Sequence, residues 1–463
     1  MDQRNNFVLP LDGTLLLNRA IWLSIAGAIY AFAAWRFSFA TGPSYGRKQA
    51  AAASPDLDKP SNVESTVDWP RITPSPSWFS QWRSSLSFDM VSTMRSPAFI
   101  VILCAAMLNT VVALFTGATE GYGLSSFPVT YKMVDLIRGS LLGFLIPIIT
   151  YFVGVVIWRD RDCRIQEIVG ATPVPNSVLV ASRLASLLLV ILTILTLVIG
   201  LGALVQAFYG YYRFQWNVYA MELILIEALR FGFFIVLAIL AHTLSPNKYV
   251  GYFVFILMII ANAFLWSFLR IDTLMVRFGR LPGYVYSDMF GIAPYWQGMV
   301  AFAVYWLAAS MLVLWFCSVA MHRGIPKTIR TRLSEGLQSS SSRSKMFGAM
   351  AALATVGIGG WLYYNTQILN TFVGAKELEE RQVRYEKTYS KYEKLAQPKV
   401  TEIRYEIDLF PETRNLRMSA SQTITNKTEE PIETLIVQVD PLYETTVEIP
   451  NATLVLDDKD LSV

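Results

Sequence analysis

The chain has 463 residues, 53% of them hydrophobic and only 16% charged, with a formal net charge of +4 and a mean hydropathy of +0.40. A soluble domain carries about 25% charged residues, so this composition argues against an ordinary soluble protein, and the small net charge argues against a nucleic-acid binder. Three scattered cysteines (Cys104, Cys163, Cys317) and two histidines (His242, His322), read as loop and helix-end residues, exclude a disulfide framework and an H-E-x-x-H zinc site.

A bilayer core is crossed by about 20 apolar helical residues, and runs of that kind punctuate the chain. The first is residues 20–35, extended by Leu15, Leu16 and Leu17; it lacks a small-residue cleavage site and is not a signal peptide. A linker over residues 40–76, rich in Ala, Ser, Pro and Asp, reads as a flexible connector. Trp78, Trp82, Leu86, Met90 and Met94 then recur every four residues with Phe79 beside them, which predicts an amphipathic helix lying in the membrane interface. Further crossings are predicted over 98–115, 134–158 (entered through Asp135 and Arg138), 178–208 (uncharged apart from Arg183) and 223–244 (interrupted by Glu227 and Arg230). The last three are 249–269, 295–321 and 346–363, the final one rich in small residues including Gly357, Gly359 and Gly360.

Charge asymmetry orients these helices. One set of loops carries Arg36, Arg47, Lys48, Lys59, Arg71, Arg83, Arg95, Arg159, Arg161, Arg164, Lys248, Arg323, Lys327, Arg330, Arg332, Arg343 and Lys345; the other holds Lys132, Arg213, Arg270, Arg277 and Arg280. The first set is expected to be cytoplasmic, so both the N-terminus and everything after the last crossing are expected outside.

Residues 371–397 are charged (Lys376, Glu377, Glu379, Glu380, Arg381, Arg384), with Tyr385, Tyr389 and Tyr392 three or four apart, and predict a solvated stalk helix with one aromatic face. The period then changes to two. Ile403, Tyr405, Ile407 and Leu409 alternate with Arg404, Glu406 and Asp408; Met418, Ala420, Gln422 and Ile424 follow, then Leu435, Val437 and Val439. Turn signals at Pro411-Glu412, Asn426-Lys427 and Glu430-Pro431 separate these runs into an antiparallel β segment. A sheet this small seldom stands alone, so the chain reads as cut short. The fold class expected is therefore an all-α polytopic membrane protein of about eight transmembrane helices with a short C-terminal extracytoplasmic β segment.

Two places carry candidate chemistry. Residues 158–183 read WRDRDCRIQEIVGATPVPNSVLVASR: a charged start (Arg159, Asp160, Arg161, Asp162, Arg164), a short amphipathic turn (Ile165, Glu167, Ile168, Val169) and a stop at Pro173 and Pro175. On spacing alone this is either an ordinary basic loop or a rigid piece that passes a partner's motion into the membrane. The second place is Glu222, Glu227 and Arg230. Glu227 and Arg230 share a helix face and pair; they form either the lining of an outer gate or an interfacial pair near the headgroups. No G-x-x-x-x-G-K-[ST] occurs, so the chain lacks the P-loop route to a nucleotide.

The run W-R-D-R-D…E-I-V-x-A-T-P-V-P-N…S-R-L resembles the first cytoplasmic loop of type-2 ABC transporter permeases, and more narrowly of bacterial proteins that fuse such a permease to an aminopeptidase N-like domain. L-L-L-N-R-A-I-W resembles the end of an earlier permease half, and Y-S-D-M-F-G the external segment before the last permease helix. Y-E-K-T-Y-S-K-Y-E-K-L-A-Q-P-K-V-T, D-L-F-P-E-T-R and I-T-N-K-T-E-E-P-I resemble the stalk and opening strands of the peptidase's β domain. The resemblance implies this domain order: 1–39, final helix of an earlier half; 40–96, cytoplasmic linker and interfacial helix; 97–323, a six-helix permease half; 324–345, a second cytoplasmic linker; 346–397, a crossing and stalk; 398–463, a partial β domain. It also implies an ATPase-coupling loop at Arg159, Asp160, Arg161, Arg164, Glu167 and Ile168. The expected partners are an ABC ATPase subunit, a second permease half or second copy, and the lipid bilayer of a bacterial inner membrane. No catalytic residue, metal or cofactor is expected in the chain itself. The rival reading is a membrane-anchored, catalytically inactive fragment of an aminopeptidase-like protein.

Overall fold

An apolar run in lipid must satisfy its own backbone hydrogen bonds, and within one segment only a helix does so. The computed structural model describes residues 13–36, 77–119, 127–321, 328–370, 372–413, 415–440, 443–458 and 461, and it is mostly helical (69%). The expected linker (residues 40–76), with its basic positions, and His322, Arg323 and Lys327 lie outside the described residues.

Residues 1–73 form one unit and 74–463 another. The first contributes helix α1, Gly13–Arg36. The second contributes α2 (Trp78–Met94), α3 (Pro97–Thr119), α4 (Thr130–Asp162), α5 (Gln166–Ala171), α6 (Asn176–Phe208) and α7 (Trp216–Leu244). Then come α8 (Lys248–Phe268), α9 (Ala293–Ala320), α10 (Ile329–Ser339), α11 (Ser342–Ile368), α12 (Ala375–Tyr389), and strands β1 (Lys399–Phe410) and β2 (Asn415–Thr425). Seven of these, α3, α4, α6, α7, α8, α9 and α11, are long and apolar enough to cross a membrane, the architecture of a multi-pass membrane protein. That is one fewer than expected from the sequence: the apolar stretch of α1, Leu16–Phe32, is shorter than those of the seven.

Helix α7 is the centre of the second unit, packed against α4, α6, α8 and α9. Its Ile235, Ala238 and Ile239 are fully buried, with Ile137, Phe152, Ile191 and Ile194 from α4 and α6 in the same core. Large apolar side chains on the peripheral helices, such as Leu257, Phe264, Leu353 and Val356, remain exposed, a surface suited to lipid rather than water.

The small residues of α11 let it close on α9. A Cβ at Gly348 would strike the Trp315 ring, and one at Gly359 would crowd Tyr305, whereas Gly357 and Gly360 face open space. Trp315 also donates its indole N–H to Ser344 Oγ at 3.3 Å.

Helix α2 forms where its periodicity predicts, but its inward face is more polar than the stripe suggested. Asp89 and Thr93 are buried, while Trp78, Phe79, Phe88 and Val91 are exposed. It packs along α6, with the Trp78 indole donating to Ser177 Oγ at 3.4 Å.

The stalk helix α12 is fastened at its start: Asp272 Oδ2 accepts the Ala375 amide at 2.7 Å, and Arg270 pairs with Glu379 at 3.4 Å. Its tyrosine face is present, Tyr385 and Tyr389 having ring centroids 5.2 Å apart. Strands β1 and β2 pair antiparallel, with Tyr405 opposite Ala420, Ile407 opposite Met418 and Leu409 opposite Leu416, and every described residue of both is exposed. The third apolar run, Leu435 to Val439, forms no strand. Its backbone is held by Gln397, which donates to Thr434 O at 3.1 Å and accepts the Ile436 amide at 3.0 Å.

Candidate functional site

The chemistry-bearing side chains collect at the two ends of the helix bundle. At one end the first turns of α7 are wound as a π-helix, Ala220–Glu227. In an α-helix, residues five apart point well away from each other; the wider π turn, with its i→i+5 hydrogen bonds, brings Glu222 and Glu227 onto one face. Both carboxylates then meet Arg138 of α4, Glu222 at 2.6 Å and Glu227 at 2.9 Å. Asp135, one turn earlier on α4, adds a third contact at 3.2 Å, and Arg230 reaches Glu227 at 3.4 Å. Tyr284 closes the group, its hydroxyl donating to Glu222 at 3.2 Å and accepting from Arg138.

Tyr284 comes from the connection between α8 and α9, which is folded down on this end. Asn262 pins it by donating to Phe278 O at 2.9 Å and accepting the Phe278 amide at 2.8 Å. Gly279 takes a left-handed turn (φ 71°) against Phe233, and the Trp306 indole donates to Arg280 O at 3.0 Å. Ile226, Ile292 and Met299 form a small apolar cluster beside the charges. The expected Glu227–Arg230 pair therefore exists, but it is the weaker half of a network centred on Arg138. The sequence places Arg138 at the entry to a crossing, but joins neither it nor Tyr284 to Glu222, from which they lie 84 and 62 residues away. The available signal was an arginine set between the apolar Ile137 and Leu141, a position that calls for a counter-charge once the helix is packed.

The opposite end holds the charged loop. Helix α4 ends at Asp162, the chain reverses through Arg164 in the left-handed region (φ 57°), and α5 follows. Pro173 and Pro175 keep the return extended, and Asn176 then caps α9 by donating to Ser318 O and Met321 O, both at 3.0 Å. The six residues expected to form one coupling surface divide into three groups. Arg159 binds Asp89 of α2 at 2.8 Å and stacks on Phe88, while Asp160 faces the buried Arg183 at 3.5 Å; these two belong to the base. Arg161 lies over the Trp158 ring, 4.5 Å from its centroid. Only Arg164, Glu167 and Ile168 are exposed, Ile168 to 71%. A neighbouring pair, Lys248–Asp162 at 2.8 Å, and Arg332 of α10, which donates to Ala320 O (2.9 Å) and Thr243 O (2.6 Å), complete the fastening of the helix ends.

Burial raises the Asp89 carboxyl above the usual carboxylate range, against the opposing pull of Arg159 and Arg183. Asp89→Ala is expected to release α2 from the loop, a loss of about 1–3 kcal/mol for a buried partner removed. Limited trypsin digestion would report it as faster cleavage at Arg83 and Arg95; an unchanged digestion pattern would show that the ion pair does not hold α2.

Among the described residues, no three His, Cys, Asp or Glu side chains are grouped so as to hold a metal ion. Compared with described protein families, with curated proteins and with solved structures, the chain matches none.

Proposed function

We propose that the chain is the transmembrane permease component of an ATP-driven ABC exporter, energised by a separate ATPase subunit. The observation that carries this reading is α5. It is a single short helix joining two long apolar ones, with Ile168 exposed on its surface, Ile165 exposed just before its start, and a base tied by ion pairs to α2 and α6. An apolar anchor on a rigid, charged platform suits a partner's pocket better than it suits water. Arg164 and Glu167 supply the polar rim. The resemblance of this loop to type-2 permeases points the same way.

In this reading the α5 end, with its surplus of arginines, faces the cytoplasm of a bacterial inner membrane. The Arg138 cluster then lies toward the outside. At about 1.5 Å per residue, a 33-residue α4 is near 50 Å long, well beyond the roughly 30 Å hydrocarbon core, so its first turns carry Arg138 to the outer boundary. There the cluster acts as an outer lock in alternating access, between this half and a second permease half or second copy. The exposed apolar face of the hairpin (Tyr405, Ile407, Leu409) favours the second reading, an anchored peptidase-like fragment for which the helices are mainly an anchor.

Two experiments bear on the proposal. Impermeant amine labelling of intact cells is expected to reach Lys376 and Lys427 but not Lys345; labelling of Lys376 only in inverted vesicles would reverse the orientation. An ATPase subunit encoded beside this chain is expected to co-purify with it from detergent-solubilised membranes, whereas a purely anchoring bundle brings none.

A further inference from the structure

A cavity of about 80 Å³ lies between α5 and the adjoining ends of α4, α6, α7, α9 and α10, behind the exposed tip. Arg161, Arg183 and Arg332 line it, against the single carboxylate of Asp160 among the described residues. Arg332 is fixed there by the two carbonyls it caps, and Arg161 rests on the Trp158 ring with no carboxylate within 4.0 Å among the described residues. His242, 2% exposed, is part of the wall. The Trp158 indole is a donor only and gives its N–H to His242 Nδ1 at 3.1 Å, so the neutral imidazole carries its proton on Nε2. That Nε2 is buried and has no hydrogen-bond partner among the described residues.

With Asp160 paired to Arg183, the guanidinium groups of Arg161 and Arg332 leave a surplus of positive charge at the cavity wall, and a buried donor without an acceptor is costly. An anion with several oxygens answers both. Guanidinium forks match phosphate oxygens pairwise, and basic pockets between helices near the cytoplasmic face suit phosphate head groups. We propose that this cavity binds a phosphate group, which bridges the end of α4 (Arg161) to α6 (Arg183), α7 (His242) and α10 (Arg332) behind α5 and stiffens the loop. The group is either a soluble phosphate or the phosphomonoester head of an anionic lipid. The proposal concerns the isolated chain, so it stands or falls separately from the ATPase partnership.

The full chain, purified in neutral detergent, is melted in orthophosphate and in chloride at matched ionic strength, and orthophosphate binding is followed independently by phosphorus NMR line broadening. A saturable rise in melting temperature is expected with phosphate alone. Arg161→Gln, which removes a guanidinium that serves no helix end, is expected to weaken phosphate binding about tenfold, the loss of one charge-assisted hydrogen bond. Arg343→Gln, an exposed basic residue elsewhere, is expected to leave it unchanged. Nanodiscs of phosphatidylcholine with and without phosphatidic acid separate the two sources: loss of the orthophosphate response when phosphatidic acid is present assigns the site to the lipid head, and a retained response assigns it to soluble phosphate. No saturable response to either probe, or an identical response in Arg161→Gln and the parent chain, would overturn the proposal.

Discussion

Arg138→Leu is expected to destabilise the helix bundle by about 3–5 kcal/mol, the usual cost of removing one partner from a buried ion pair. The side chains of Glu222 and Glu227 are only 3% and 5% exposed, and both lean on this one guanidinium. Arg230 cannot replace it: it sits 3.4 Å from Glu227 alone and is 39% exposed. The triple variant Arg138→Leu, Glu222→Gln, Glu227→Gln should recover most of the loss, because the charges it leaves without these partners, Asp135 and Arg230, are both exposed. Thermal unfolding of the three proteins in one detergent separates the cases. If the single variant melts no lower than the triple one, the cluster is not held together by charge pairing, and the outer lock loses its basis. Tyr284→Phe should give a smaller effect, since it removes one hydroxyl and leaves both salt bridges in place.

The second large effect is expected at the tip of α5. Ile168→Asp should abolish most co-purification of the ATPase subunit, whereas Glu167→Gln on the rim should change it little. A buried apolar anchor governs how long a complex lasts, while rim charges mainly set how fast it forms. Ile168 is 71% exposed, so its replacement should leave expression and membrane insertion intact. Arg159 and Asp160 are poor choices for this test, because they brace α2 and α6 rather than face outward. Equal ATPase recovery with Ile168→Asp and the parent chain would sink the docking role of α5.

How much of this was legible beforehand follows from what each feature depends on. The apolar runs and the period-two alternation of the tail are local, so the positions of α3, α4, α6 to α9 and α11, and of β1 and β2, could be read directly from residue order. The limits of that reading are equally local. A short apolar stretch places α1 below the length of the other seven, and alternation alone did not make Leu435 to Val439 a strand, because pairing needs a neighbouring edge, and the Ile436 amide bonds to the Gln397 side chain instead.

The candidate sites depended on more. Sequence pointed to Glu222, Glu227 and Arg230 by their charge in an apolar run, and to the 158–183 loop by its charge and prolines. It could not supply the π turn that swings both glutamates onto one face, nor Arg138 and Tyr284, which arrive from other segments. Nor could it sort Arg159, Arg161 and Ile168, adjacent members of one motif, into a brace, a cavity wall and an exposed tip. Length, hydrophobicity and charge asymmetry are sums over neighbouring residues, and the chain determines them by itself. Which carboxylate meets which guanidinium, and which side of a loop faces inward, are set by helix packing, because a buried charge finds its partner in space and not along the chain.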